Sequence, residues 1–235
     1  MQKPMLSYDG QIQHLIDKDI SFVHIDQQSA LDYLKQNNNF FKLCAYRKNF
    51  AKRDGTDKYL NLDFAYLVDM AIIDTRLRML ILEMALNIEH FAKVQLIKLV
   101  TESDSEDGYQ IVTDYLNSLS KAEREHLDAE ISRNQTSLYV SELFHKYTSH
   151  FPIWAFVEIL SFGSFIHFYK FCADKFDDTS MTDNVYLFLT IKKVRNASAH
   201  NNCLLNDLTM KTNTYKVNYG LSRNLSSMGT KHTTV

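Results

Sequence analysis

The chain has 235 residues, of which 45% are hydrophobic and 23% charged, with a formal net charge of -2. That length can bury a sizeable core in one or two domains, and the near-neutral balance excludes a global pull toward nucleic acid or membrane. Six Gly and two Pro supply too little turn chemistry for a many-stranded β-protein, so an all-α chain is predicted.

Residues 8–36 read as two short helices. The first runs from Tyr8 to Ile16, and the second is capped by Asp26 and covers Ala30 to Leu34. After a loop at Asn37-Asn38-Asn39, Phe40 to Phe50 forms a short aromatic element containing Tyr46-Arg47. Asp63 to Val100 is the longest periodic segment. Its steps Leu77, Leu80, Met84, Ile88 and Phe91 predict the core stripe of an amphipathic helix, with a bend or break marked by Asp69 and Asp74. An acidic loop from Glu102 to Gly108 leads to helical segments over 109–149. Pro152 opens a strongly apolar helix, Ile153 to Phe171, because a proline is tolerated where the N–H would be unpaired anyway. Asp183 is the expected N-cap of a last helix running through His200. Three regions follow: an N-terminal helical extension over 1–60, a helical domain over 61–208, and a basic polar tail over 209–235, poorly ordered or forming a short hairpin.

Charge is uneven along the chain. From Lys192 onward seven basic residues face one acid, Asp207, a local charge of +6 that suits a polyanion and equally suits a solvated tail. Cys44, Cys172 and Cys203 are widely spaced, which argues against a disulfide framework or a zinc site. With no apolar leader pattern and no membrane-length apolar run, the expectation is a reduced, cytoplasmic setting without membrane contact.

The chemistry-bearing segment is Arg195-Asn196-Ala197-Ser198-Ala199-His200. Arginine is permanently charged and grips phosphate oxygens bidentately, and histidine, with an unperturbed pKa of ~6.5, can take or give a proton near neutral pH. On a helix the five-residue separation sets Arg195 and His200 about 140° apart, whereas Asn196 and His200 share a face. The competing readings are a surface salt bridge for Arg195, and for His200 a cation at a helix C-terminus or a core histidine.

The flanking residues carry a resemblance. Lys3-Pro4-Met5-Leu6-Ser7-Tyr8, Phe41-Lys42-Leu43-Cys44-Ala45-Tyr46-Arg47, Asp74-Thr75-Arg76-Leu77-Arg78 with Ile88-Glu89, Phe151-Pro152-Ile153-Trp154-Ala155-Phe156-Val157-Glu158 and Val194-Arg195-Asn196-Ala197-Ser198-Ala199-His200-Asn201 occur in the order and spacing of the Abi family of phage abortive-infection proteins. The chain resembles that family over most of residues 3–206, and the family looks like a branch of the HEPN superfamily. The resemblance implies an all-α, HEPN-like helical bundle with additional N-terminal helices, and a homodimer that brings two R-x-x-x-x-H motifs together. It further implies metal-independent RNA cleavage without a cofactor, in phage defence or a toxin–antitoxin pair. Arg195 and His200 would be catalytic, with Asn196 and Asn201 in support. Arg47, Lys192 and Lys193 are candidates for RNA contact, and an RNA or protein antitoxin is a further expected partner. The chain departs from the family pattern at Lys93, where arginine is frequent, and at Asn202, where some HEPN toxins carry a modifiable tyrosine.

Glu89 and Glu158 sit in apolar helices, where an unpaired carboxylate is costly, so each is expected in a structural ion pair with Arg76, Arg78 or Arg195. The aromatic run Trp154, Phe156, Phe162, Phe165 and Phe168 is read as core or dimer interface. The alternatives to a nuclease are a non-catalytic RNA-binding module and a scaffold that only dimerises.

Overall fold

A computed structural model describes residues 4–37, 39–147 and 150–208. The tail expected over 209–235 lies outside them. The described chain is all-α: α1 (Tyr8–Asp17), α2 (Gln27–Gln36), α3 (Phe40–Ala45) running into a 3₁₀ turn (Tyr46–Asn49), α4 (Phe64–Thr101), α5 (Gln110–Ser118), α6 (Lys121–Asn134), α7 (Ser141–Tyr147), α8 (Ile153–Ile159), α9 (Phe162–Lys175) and α10 (Thr179–Ala199). Extended pairing among the described residues is limited to two isolated bridges, Ser21–Asp63 and Lys52–Tyr59. No helix among them is long and apolar enough to cross a membrane.

The chain divides into two compact units, one from residues 4–80 and 197–208, the other Ile81–Asn196. The first unit is closed around Leu15, Leu43, Tyr46, Leu62, Phe64 and Leu67, with Cys203 and Leu205 packed against them. Its helix starts are set by side-chain caps. Asp26 accepts from Ser29 N–H at 3.0 Å, Asn39 from Lys42 N–H at 2.7 Å, and Asp63 from Ala65 N–H at 3.0 Å. Each satisfies a donor that the first helical turn leaves unpaired. Asp63 also accepts from Ser21 Oγ at 2.6 Å and Val23 N–H at 2.8 Å. Burial works against its charge, but the bonds from Ser21, Ala65 and Val23 prevail and hold its carboxyl below the ordinary value.

The second unit has its own core, in which Phe156, Phe162, Phe165 and Phe168 are buried with Leu96, Ile111 and Tyr115. These four aromatic residues are therefore core, while Trp154 is 45% exposed and donates to the Tyr147 hydroxyl at 3.1 Å. Gly108, at φ +81°, is required here: a Cβ would come within 2.7 Å of the Trp154 ring.

Four expectations are corrected. Asp69 and Asp74 do not break α4, which is continuous over 38 residues. Of the expected stripe, Leu77 is half-buried and Ile88 packs half-buried against the second unit's core, whereas Leu80, Met84 and Phe91 are 53%, 54% and 61% exposed; the fully buried α4 positions from residue 81 onward are Ala85, Ala92, Leu96 and Val100. The helix is apolar around much of its circumference, so periodicity alone could not choose the face, and small alanines form the buried seam. The helix expected over Ile153–Phe171 is two, α8 and α9. Ser161 intervenes as the N-cap of α9, and Glu130 accepts its N–H at 2.7 Å, so a side chain outside the segment rewards the break. Finally, α10 begins at Thr179 because Asp178, not Asp183, accepts from Met181 N–H at 3.0 Å.

Candidate functional site

In the first unit, the end of α10 fixes the backbone around His200. Asn202 N–H donates to Ala197 C=O at 2.9 Å and Asn201 N–H to Ser198 C=O at 3.1 Å. That is the double bond of a Schellman stop, which needs one residue in the left-handed region, here Asn201 at φ +55°. Asparagine tolerates this conformation better than other non-glycine residues, because its short amide can bond locally. His200 is thereby held as the C-cap, and its side chain is exposed.

The segment after this stop is tied down by a buried carboxylate. Asp74 is fully buried on α4, and Arg78, one turn later, is 3% exposed. Asp74 Oδ2 accepts from Arg78 Nη1 and from the Tyr46 hydroxyl, the latter at 2.9 Å, while Oδ1 accepts from Leu205 N–H at 2.8 Å. Arg78 Nη2 also donates to Thr75 Oγ1 at 2.8 Å. Asn49 adds a second tie, donating to Leu205 C=O at 2.7 Å and accepting from Leu208 N–H at 2.6 Å. Burial, followed by hydrogen bonds to Cys203 and Asp74, pushes the Tyr46 phenol well above its ordinary value, so it stays a donor.

His200 lines a cleft of about 870 Å³ with Lys42, Arg76, Arg78, Asn39 and Asn201 among its walls. Neither Lys42 nor Arg76 has an acidic partner among the described residues. The carboxylate nearest in sequence, Asp74, is already committed to Arg78. An exposed imidazole therefore shares a wall with cations that no described carboxylate pairs with, an arrangement suited to an anion. Arg76 and Lys42 escaped the sequence reading because nothing in their spacing links residues 42, 76 and 200. The Asp74–Arg78 pair was the available signal, since an acid and a base four apart in an apolar helix are placed to meet.

The family model for Abi-like proteins matches residues 32–206. The chain belongs to the Abi-like protein family. Its function accordingly lies in abortive infection, the defence of bacteria against phage. No curated protein and no solved structure matches this Abi-like protein.

The other predicted residues of this Abi-like protein fall as follows. In the second unit Arg195 is half-buried and its Nη1 donates to Asn196 Oδ1 at 3.1 Å. Lys193 is exposed, and Lys192 is half-buried against α9, where a Cβ on Gly163 would lie 2.7 Å from its Nζ. Glu89 and Glu158 share one cation, Lys93, at 3.5 and 3.8 Å, rather than Arg76, Arg78 or Arg195. In the first unit Arg47 is half-buried. It donates to Cys44 C=O at 3.2 Å, contacts His14 Nε2 at 3.4 Å and lies over the Tyr59 ring. Tyr46 beside it is fully buried, so its ring has no free face for a base.

Proposed function

We propose that this Abi-like protein is a metal-independent endoribonuclease toxin whose reaction uses His200 and Arg195. The observation that carries the reading is the placement of His200, an exposed imidazole at a fixed helix end on a cleft whose Lys42 and Arg76 have no acidic partner among the described residues. RNA supplies its own nucleophile. One imidazole takes the 2′-OH proton as the 2′-oxygen bonds to the adjacent phosphorus. The bond from phosphorus to the 5′-oxygen breaks, and a protonated imidazole returns a proton to that oxygen. Products carry 2′,3′-cyclic phosphate and 5′-OH ends. Guanidinium charge stabilises the phosphorane-like transition state between these steps.

One chain offers a single His200, and base and acid together need two groups. A two-fold homodimer supplies both. Met84 and Phe91 on α4, seven residues apart and more than half exposed, give the second unit an apolar stripe that supports self-association.

The deciding experiment incubates purified protein with RNA, with and without EDTA, and identifies product ends. His200→Ala should lower the cleavage rate roughly 10²–10⁴-fold while RNA affinity persists, and EDTA should leave the wild-type rate unchanged. Cleavage by His200→Ala at the wild-type rate, or loss of wild-type activity in EDTA, overturns the mechanism. Binding without any cleavage makes the protein an RNA-sequestering module.

A further inference from the structure

Beside the cleft of His200 is a second recess of about 520 Å³ whose lining includes Phe41, Lys42, Lys48 and Asn202. Phe41 is 87% exposed, although its helix neighbour Leu43 is fully buried and Phe40 packs edge-on against His14 at 5.7 Å. The cap from Asn39 fixes the start of α3 and so fixes which residue points outward. Lys42 and Lys48 have no acidic partner among the described residues, and no carboxylate lines the recess.

We propose that this recess is a subsite for single-stranded RNA, in which one base stacks on Phe41 and the flanking phosphates pair with Lys42 and Lys48. The inference rests on RNA being the substrate of the neighbouring cleft. Phe41 is the one aromatic or branched apolar side chain in a lining otherwise made of lysine, asparagine and small residues. A docked protein helix would require several apolar anchors. A single flat π-surface between cations instead suits a stacked base with its anionic backbone. Every base presents a π-face, so the stack is tolerant of sequence, and the exposed Asn202 amide can bond a base edge. Asn39, Lys42 and Asn201 line both hollows, so a strand seated on Phe41 continues past His200. The subsite thus holds substrate beside the reacting phosphate without itself moving a proton.

The test measures fluorescence anisotropy of the full chain with a labelled 2′-O-methyl oligoadenylate, whose blocked 2′-oxygen cannot attack. Phe41→Ala should weaken binding roughly 5- to 150-fold, the worth of one stacked base, and Phe41→Trp should restore it. Alanine is a good helix former, and the position is exposed, so the fold is retained. Lys42→Gln with Lys48→Gln should lower the slope of log Kd against log salt by roughly 1.4, for two lost phosphate contacts. The exposed Tyr139→Ala is the control and should change nothing. Equal affinity of Phe41→Ala and wild type, an equal loss in Tyr139→Ala, or no binding by wild type overturns the subsite. If wild type cleaves RNA while Phe41→Ala binds normally, the subsite alone fails. If binding depends on Phe41 and no RNA is cut, the nuclease reading alone fails.

Discussion

Asp74→Asn is the most demanding test of how the first unit is held together. The side chain is fully buried, and its carboxylate takes bonds from Arg78, Tyr46 and the Leu205 backbone. Asparagine preserves shape but removes the countercharge from a guanidinium that is 3% exposed. Breaking a buried pair in this way costs about 3–5 kcal/mol, because the remaining charge stays desolvated. For a chain of this size each kcal/mol moves Tm by roughly 2–4 °C, so the melt should fall by about 6–20 °C. Arg124→Gln provides the comparison. Its pair with Asp128 has side chains 43% and 53% exposed, and such exposed pairs contribute about 1 kcal/mol or less. Tyr46→Phe should fall between them, losing one bond to a charged acceptor worth about 1.5–3 kcal/mol. Thermal melts by circular dichroism measure all three. If Asp74→Asn melts within a degree or two of Arg124→Gln, the buried network does not hold the unit as argued.

At the helix stop, Asn201→Gly should keep wild-type stability, and Asn201→Val should lose about 1–2 kcal/mol in chemical denaturation, since a β-branched side chain is strained at positive φ. Asp63 sets an acid limit. Its folded pKa lies below the ordinary 3.8, so its contribution is complete above that value and fades as pH falls through the folded one. The stability gap between wild type and Asp63→Asn should therefore narrow as melts are taken from about pH 6 to about pH 3. Gly108→Ala should lower Tm and shift the emission of Trp154, the single tryptophan, because the new Cβ collides with its ring.

The all-α class, the first two helices and the Asp26 cap were legible because each depends on neighbours in sequence: scarce breakers, a capping side chain, a short apolar repeat. The face of α4 was not. Leu80, Met84 and Phe91 satisfy a helical period as well as Ala85, Ala92 and Leu96 do, and only packing against other elements distinguishes them. The same applies to Ser161, which starts α9 with help from Glu130, 31 residues earlier. At the candidate site, the motif located His200 and the Asn201 that ends its helix. It did not locate Lys42, Arg76 or Phe41, since their proximity to residue 200 is created by the fold. Tyr46 lies beside Arg47 in sequence, and only packing shows that its ring is buried and its hydroxyl donates to Asp74.

The bond from Leu205 to Asp74 joins positions 131 residues apart, and that from Leu208 to Asn49 spans 159. The first unit is thus written at both ends of the described chain, with Ile81–Asn196 inserted between its parts. On a translating ribosome, adding roughly 5–20 residues per second, its two parts are made on the order of ten seconds apart. Throughout that interval α1 to α3 and the start of α4 exist without the imidazole, and with Asp74 lacking its Leu205 partner. The cleft that His200 lines therefore comes together only after the second part of the unit has left the ribosome.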